Sequence, residues 1–194
     1  AARDARILPF GFGLDDALFE HDGQITKREI RTMTLAALAP RRGELLWDIG
    51  AGSGSISIEW MLAHPSMRAI AIEENAERAQ RMGRNADALG TPGLRVVTGA
   101  APEALEGMPQ PDAVFVGGGG SGDGVMEAAI AALRRDGRLV ANAVTLEMET
   151  ILTSLHGRLG GTLTRIAISR ASPVGTMTGW RPAMPVTQWT WVKP

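Results

Sequence analysis

The stretch of sequence that decides the fold is Leu45-Leu46-Trp47-Asp48-Ile49-Gly50-Ala51-Gly52-Ser53-Gly54. An apolar run carries an acid near its end and leads into three glycines at alternate positions, as in a buried strand that stops at a tight turn. A second apolar run, Ala69-Ile70-Ala71-Ile72, follows and ends in Glu73. An acid at the tip of the next strand can accept hydrogen bonds from ribose hydroxyls. The two segments together predict a site for a nucleoside cofactor.

The spacing of the glycines indicates the kind of cofactor. The third glycine of a dinucleotide fingerprint would fall at Ser55, and no lysine follows the glycines as a P-loop requires. Asp48 adds negative charge where phosphates would sit, but it suits a cationic ligand that carries an amine. S-adenosyl-L-methionine (SAM) has this character, because it combines a sulfonium, an α-amino group and an adenosine ribose. A tight turn in some other α/β protein is the structural alternative.

The composition limits the classes of function. A chain of 194 residues is expected to form one domain with a substantial core. The formal charge of −1 and the pI of about 6.4 favour no strong attraction to nucleic acid. The lack of cysteine excludes disulfides, thiol nucleophiles and Cys-ligated zinc, and fits a cytoplasmic location. No apolar stretch approaches the roughly 18 residues of a membrane span, and no signal-peptide pattern is present.

The order of the predicted elements indicates a doubly wound α/β fold. Residues 1–24 are expected to form an extended lead-in, and residues 25–194 the domain itself. Five strands alternate with helices up to Ala143. Two strand-like segments, residues 162–169 and 186–192, then follow with only a Pro- and Gly-bearing stretch between them. This order predicts a seven-stranded sheet with an antiparallel edge strand.

Two local patterns refine this prediction. The sequence Thr26-Lys27-Arg28-Glu29 is a capping box, which predicts a helix to about Ala39. The buried stripe of that helix is expected to be Ile30, Met33, Ala37 and Leu38. The run Gly117-Gly118-Gly119-Gly120 follows a predicted strand and precedes a helix. It therefore favours a ligand-facing loop over a flexible linker.

Several segments, taken in order, resemble one family, the decarboxylating precorrin methyltransferases of cobalamin biosynthesis. They are Thr26-Lys27-Arg28-Glu29-Ile30-Arg31, Asp48–Gly54, Ala71-Ile72-Glu73-Glu74-Asn75, Gly99–Leu105 and Asp112–Gly119, and the lead-in Gly13–Gln24 looks like the subtype found in bifunctional enzymes. The resemblance covers roughly residues 13 to 170. It implies the Rossmann-like fold of class I SAM-dependent methyltransferases. The activity it implies is C-methylation of a precorrin at carbon 15, coupled to decarboxylation of the acetate on carbon 12.

The resemblance also implies a cofactor site, with SAM as methyl donor and S-adenosyl-L-homocysteine as product. The residues that it carries over are Thr26, Gly50, Ala51, Gly52, Ser53, Gly54, Glu73, Ala100 and Ala101. Ala100 stands where the family often has an acid, so adenine is expected to be held by backbone and shape at this point. The family further implies a homotetramer, and the missing initial Met leaves open a methyltransferase domain that precedes this chain.

A polycarboxylated tetrapyrrole substrate calls for arginine or lysine in its pocket. Candidates are Lys27, Arg28, Arg31, Arg170 and Arg181, each of which could instead be a solvated surface charge. Trp180 could offer a flat platform, and Trp189 and Trp191 are expected in the core or in a subunit interface. His21 is the histidine closest to a functional position, while His64 and His156 are expected to be structural or solvated. No catalytic side chain and no metal site is predicted.

Three other functions remain open at this point. A module that binds SAM without catalysis would share the glycine motif. A tRNA adenine methyltransferase would share the sheet, but it generally needs a basic face and an N/D-P-P-Y motif that the fourth strand lacks. A metal-dependent O-methyltransferase needs a carboxylate cluster, and only Asp123 follows the fourth strand closely.

Overall fold

The computed structural model describes residues 7–194, and this part of the chain contains five α-helices and nine β-strands. The helices are α1 (Arg28–Leu38), α2 (Ser55–Leu62), α3 (Ala76–Ala88), α4 (Val125–Ala132) and α5 (Leu146–Leu159). The strands are β1 (Leu45–Ile49), β2 (Arg68–Glu73), β3 (Arg95–Thr98), β4 (Ala113–Val116), β5 (Arg138–Ala143), β6 (Thr162–Ile166), β7 (Ser169–Val174), β8 (Met177–Pro182) and β9 (Val186–Val192). Two short 3-10 turns lie at Asp16–Leu18 and Glu103–Leu105.

Seven strands form one sheet in the order β3-β2-β1-β4-β5-β9-β6. The strands β1 to β5 run parallel, and β9 pairs antiparallel with both β5 and β6. One apolar cluster covers each face of the sheet, and β1, β4 and β5 are buried along their whole length. The doubly wound seven-stranded sheet is confirmed, and the antiparallel edge is consistent with this strand order.

The segment expected to link the last two strands has structure of its own. Residues 169–182 form a separate two-stranded hairpin, β7–β8, instead of an irregular stretch. The hairpin turns at Gly175-Thr176, where Gly175 has a φ of +59°. A glycine at the first position of a two-residue turn matches the right-handed twist of the flanking strands. One residue of this hairpin, Arg170, lines the cavity described below.

The capping-box prediction for α1 is wrong. The helix begins at Arg28 with Lys27 as its N-cap, and no side chain caps it. Thr26 lies one residue before the cap, and its carbonyl accepts a hydrogen bond from Arg31 (Nη1···O 2.6 Å). The buried residues of α1 are Arg31, Thr34, Leu35 and Leu38, so only Leu38 of the expected stripe is among them, and Met33 is exposed. The polar residues Arg31 and Thr34 can occupy the inward face of α1 because other segments of the chain supply their hydrogen-bond partners.

The lead-in packs onto the domain through a buried ion pair. Leu14 and Phe19 are buried in one of the two cores. Arg31 is fully buried and donates to Glu59 (Nε···Oε1 2.5 Å), which also accepts from the backbone N–H groups of Gly13 and Leu14. This contact ties the lead-in to both α1 and α2. The division at residue 24 stays a prediction, and the first six residues lie outside the described part.

The aromatic pair on β9 belongs to the core. Trp189 and Trp191 are buried and stack with ring centroids 6.0 Å apart, so the core prediction for them is confirmed and the interface alternative is wrong. Trp189 also donates its indole N–H to the carbonyl of Gly160 (2.9 Å). Over residues 7–194, the helices are all too short or too polar to cross a membrane.

Candidate functional site

A cavity of about 860 Å³ opens at the carboxyl ends of the parallel strands. Parallel strands bring their last residues to one edge, so the loops that follow β1, β2, β4 and β5 meet there. The register aligns Ile49 at the end of β1 with Ile72 on β2 and Val116 on β4. The loop residues that follow these three strands contribute Gly50–Gly52, Glu74-Asn75 and Gly117–Gly119 to the lining.

The glycine loop after β1 forms the floor of the cavity. The N–H groups of Gly50 and Ala51 both donate to the carbonyl of Ile72 (2.9 and 3.0 Å), which fixes the turn. Gly50 has a φ of +70°, and a Cβ placed there would overlap the backbone of Gly118. Only glycine allows the two loops to approach this closely. The Gly117–Gly119 segment lines the cavity, in agreement with the loop predicted there.

Glu73 is buried beside this loop and lines the cavity. Its carboxylate accepts from the N–H of Gly52 (Oε2, 2.9 Å) and from the N–H of Asn75 (Oε1, 3.0 Å). A carboxylate offers about four acceptor positions, so each oxygen keeps capacity for a ligand hydroxyl. No cation among the described residues pairs with Glu73, which leaves this part of the cavity acidic.

Asp48 lies directly behind the loop at a 1% exposed position. Its Oδ2 accepts from the hydroxyl and the N–H of Ser57 (2.7 and 3.1 Å), whereas its Oδ1 has no hydrogen-bond partner within residues 7–194. Burial and, to a smaller extent, the neighbouring Glu73 carboxylate raise the pKa of Asp48 to about 6, although the Ser57 bonds act to lower it. Asp48 does not itself line the cavity, and it places a second acid behind the glycine loop, next to Glu73.

The structure brings most of the predicted cofactor residues to the cavity. Those that line it are Thr26, Gly50, Ala51, Gly52, Glu73, Ala100 and Ala101. Ser53 and Gly54 do not line it. Ser53 is buried with its carbonyl accepting from Asn85 (3.0 Å), and a Cβ at Gly54 would overlap Met82 of α3. Both positions are taken up by packing behind the loop, because α3 presses against it.

The predicted substrate residues separate into three groups. Lys27 and Arg170 line the cavity. Arg28 lies in a smaller adjoining depression, and Arg181 is exposed on β8, opposite Arg170 in the hairpin register. Arg31 does not reach the cavity, because its guanidinium is fully buried and bonded to Glu59, Asp16 and two carbonyls.

Trp180 and the histidines do not line the cavity. Trp180 is 77% exposed and lies on the opposite face of the hairpin from Arg170 and Arg181, because neighbouring strand residues alternate in direction. His21 is exposed, and its Nδ1 accepts from the N–H of Gly23 in a local turn (3.0 Å). Across residues 7–194 no group of three or more His, Cys, Asp or Glu side chains is arranged to hold a metal ion.

Sequence reasoning missed Asn142 at the end of β5. Asn142 lines the cavity, donates to the hydroxyl of Thr34 (2.9 Å) and accepts from Gln188 (2.9 Å), so its side-chain amide is fixed in place. The sequence signal that could have identified Asn142 is a polar residue near the end of an otherwise apolar strand. Arg78 on α3 also lines the cavity and pairs with Asp22 (2.8 Å). This contact and other hydrogen bonds hold the pKa of the Asp22 carboxyl well below its usual range. The remaining wall is apolar and includes Ile168, Met184 and Val186.

Comparison with known proteins identifies the family of this chain. A family model for the precorrin methyltransferase domain matches residues 17–193. The chain belongs to the precorrin methyltransferase family. A protein named precorrin-6Y C(5,15)-methyltransferase [decarboxylating] from Sinorhizobium sp is 70% identical over 193 residues, which cover 100% of this chain and 47% of that protein. The chain therefore spans about half the length of such curated relatives.

Two further matches support the family and the fold. A probable cobalt-precorrin-6B C(15)-methyltransferase (decarboxylating) from Pyrobaculum calidifontis is 35% identical, covering 86% of this chain and 88% of that protein. The crystal structure of the C-terminal domain of precorrin-6Y C5,15-methyltransferase from Rhodobacter capsulatus superposes with a TM-score of 0.90 at 50% identity. That match covers 96% of this chain and 100% of the other. The fold is thus that of the class I SAM-dependent methyltransferases.

Proposed function

We propose that this chain methylates carbon 15 of a precorrin and removes the acetate carboxyl group on carbon 12, in cobalamin biosynthesis. The observation that carries the proposal is that a single cavity is lined by two chemically different sets of residues. The glycine loop and Glu73 suit a nucleoside cofactor, while Lys27 and Arg170 suit a polycarboxylated substrate. The names of the relatives support the reaction, and their identity to this chain favours it over the RNA and O-methyltransferase alternatives.

The cavity suits SAM in shape and charge. Gly50 and Gly52 leave bare backbone at the floor, and Glu73 retains acceptor capacity for ribose hydroxyls. The two neighbouring acids, Asp48 and Glu73, favour a cationic cofactor over a cofactor that carries phosphates. When bound, SAM would supply an electrophilic methyl group. We assign its binding to seven residues, Thr26, Gly50, Ala51, Gly52, Glu73, Ala100 and Ala101, with Ser53 and Gly54 shaping the loop from behind.

The chain's contribution to the reaction is alignment and exclusion of water. Loss of carbon dioxide from an acetate leaves an electron pair that a conjugated macrocycle can delocalise, so the substrate itself provides a carbon nucleophile. Apolar residues such as Ile168, Met184 and Val186 line the substrate side and would desolvate the departing carboxylate. Asn142 offers a fixed amide at the same wall. Positioning of this kind can supply much of the rate without a protein nucleophile.

We further propose the setting in which the domain works. The relatives from Sinorhizobium and Mycobacterium tuberculosis are about twice as long as this chain, which supports a second domain. The Rhodobacter capsulatus match is named a C-terminal domain, which supports placing that second domain on the N-terminal side. A homotetramer and a cytoplasmic location are proposed on family resemblance and on the lack of cysteine. Gel filtration with light scattering would test the tetramer directly.

The cofactor assignment is tested by calorimetric titration with S-adenosyl-L-homocysteine. We expect micromolar binding by the wild type and a loss of about tenfold to a hundredfold in Glu73→Ala, because hydrogen bonds to a charged group contribute about 1.5–3 kcal/mol. The matched control is Glu77→Ala, an exposed acid in the first turn of α3 that does not line the cavity. Failure of the wild type to bind, or equal binding by both variants, would contradict the assignment.

A further inference from the structure

An ion pair lies between the cavity and the smaller depression beside it. Arg170 on β7 donates to the Oε2 of Glu29 in the first turn of α1. Arg170 lines the main cavity and also the smaller depression that holds Glu29 and Lys27. Both partners are partly solvated, with side-chain exposures of 47% and 40%. An ion pair at this degree of exposure holds its partners weakly, so a competing carboxylate can replace one of them.

The hairpin that carries Arg170 places a second arginine beside it. Arg170 and Arg181 are directly opposite in the β7–β8 register, so their side chains leave the same face. Arg181 forms no ion pair within residues 7–194. Two guanidinium groups on one face, one of them without a carboxylate partner, make a site that attracts a ligand with several carboxylates.

The base of the hairpin is part of the cavity wall. Ile168 and Ala183 flank the hairpin and are joined by a backbone hydrogen bond (N···O 2.9 Å). Both line the cavity, together with the next residue, Met184. A ligand that fills the cavity therefore lies against the element that positions the two arginines.

We propose that Glu29 occupies the place of a substrate carboxylate and holds Arg170 at the edge of the cavity until a carboxylate of a polycarboxylated tetrapyrrole binds the guanidinium instead. This inference rests on the proposed function. It makes Glu29 a specificity-determining residue, because a ligand must offer a carboxylate that competes with an acid already in place. A tetrapyrrole without carboxylates gains nothing from Arg170 and leaves the Arg170–Glu29 pair closed.

Glu29 can release Arg170 without being left as an unfavourable buried charge. It is partly exposed and lies in the first turn of α1, where the helix dipole favours an anion. Burial works against ionisation of Glu29, but the backbone N–H of Glu29 and the Arg170 guanidinium together lower its pKa. The exchange therefore replaces one carboxylate by another at Arg170 and leaves Glu29 ionised toward water.

The test is a double-mutant cycle with uroporphyrin, a tetrapyrrole that carries acetate and propionate side chains, at fixed ionic strength. Removing the competitor in Glu29→Gln should tighten uroporphyrin binding about threefold to fivefold, the range of an exposed ion pair. Removing the guanidinium in Arg170→Gln should weaken binding about tenfold. In the Arg170→Gln background, Glu29→Gln should have no further effect, because there is no longer a guanidinium to release.

A matched control comes from a second exposed ion pair away from the cavity, Arg165–Glu149 (2.9 Å). Glu149→Gln also frees an arginine and removes one negative charge, and it should leave uroporphyrin binding unchanged. Three results would overturn the proposal: no tightening in Glu29→Gln, equal tightening in Glu149→Gln, or no uroporphyrin binding by the wild type. Binding of S-adenosyl-L-homocysteine, measured on the same samples, reports separately on the cofactor site.

Discussion

Strand β1 has a buried carboxylate at each end, and the two lie in opposite environments. Glu44, just before the strand, accepts from both terminal nitrogens of Arg138 (2.7 and 2.6 Å). Asp48, near the other end, accepts from the Ser57 hydroxyl and pairs with no cation among residues 7–194. Although burial opposes it, Arg138 lowers the pKa of Glu44, whereas burial and Glu73 raise the pKa of Asp48 to about 6. One strand thus shows how the two ends of the sheet differ.

At the amino end of the sheet, charged groups are matched within the chain. Arg138 also donates to the carbonyls of Leu38 and Ala39 at the end of α1 (2.9 and 3.0 Å). Lys193 donates to three carbonyls at the end of α4, those of Ile130, Ala131 and Leu133. At the carboxyl end, glycine backbone and carboxylates keep hydrogen-bonding capacity for a ligand. The comparison teaches that charged groups are satisfied within the chain at one end of the sheet, whereas the other end, where we propose that the cofactor binds, keeps free hydrogen-bonding capacity.

The largest expected effect comes from removing the buried ion pair between Arg138 and Glu44 at the amino end of the sheet. Arg138→Ala should destabilise the protein by about 3–5 kcal/mol, because it removes both close hydrogen bonds from Arg138 to the buried Glu44 carboxylate and leaves it only the more distant Arg134 as an ion-pair partner (3.9 Å). Arg134→Ala is the control: Arg134 is 46% exposed and contacts Asp112 and, at 3.9 Å, Glu44. Both carboxylates keep other hydrogen bonds, from Leu45 and Arg138, so this variant should cost about 1 kcal/mol or less. Urea unfolding measures both effects.

The same two variants also test whether the ends are independent. Folded Arg138→Ala and Arg134→Ala should bind S-adenosyl-L-homocysteine as the wild type does, because neither residue lines the cavity. A loss of affinity in a folded variant would mean that stability and binding are coupled through the sheet. An equal cost of the two substitutions would mean that burial does not distinguish the two arginines.

The carboxyl end could be predicted from the sequence because its parts are local. An apolar strand, alternate glycines and a second strand ending in an acid lie within 30 residues of each other, and each has a physical signature. The amino end could not be predicted in this way. Glu44 and Arg138 are 94 residues apart in sequence, and no local pattern pairs them. An ion pair of this kind can be recognised only when the tertiary contact between its two residues is known.

Helix α1 and the hairpin show the same limit at smaller scale. Arg31 was a candidate for substrate binding and Met33 for the core, but the structure buries Arg31 and exposes Met33. The reason is that Glu59 and Asp16 reach Arg31 from segments far away in sequence. The hairpin had a usable signal in Gly175, which lies in the turn between β7 and β8. Once the segment is a strand, the period of two separates Trp180 from Arg181.

The next prediction uses the buried carboxylates at the two ends of β1, Asp48 and Glu44. Their contributions to stability should change with pH in opposite directions. Asp48 has a folded pKa of about 6 against an ordinary value of 3.8, so the folded state binds the proton more tightly. Its contribution to stability is full below pH 3.8 and is lost as the pH rises through about 6, with a total on the order of 3 kcal/mol. Asp48→Asn should therefore gain stability relative to wild type between about pH 4 and pH 7.

Glu44→Gln is the control of opposite sign. Because the folded pKa of Glu44 is lowered, Glu44 stabilises the protein above its unfolded pKa and this contribution is lost as the pH falls through the folded pKa. Urea unfolding at several pH values should thus give difference curves that slope in opposite directions for the two variants. Parallel curves would show that Asp48 is not the proton-binding group expected at this end of the strand.

The smallest predicted effect comes from a comparison of two glycines, Gly50 and Gly43. It separates the cost of a positive φ from the cost of the close contact between Gly50 and Gly118. Gly50→Ala should cost about 1–3 kcal/mol of stability, because φ is +70° and the new Cβ would press on Gly118. Gly43→Ala, at the amino end, shares a positive φ (+83°) with open space around it, so it should cost only about 1 kcal/mol. If the glycine loop is the cofactor floor, only Gly50→Ala will also weaken S-adenosyl-L-homocysteine binding, by roughly tenfold or more. Equal costs and equal affinities in the two variants would mean that the approach of Gly50 to Gly118 is incidental, and that the loop needs glycine for its turn alone.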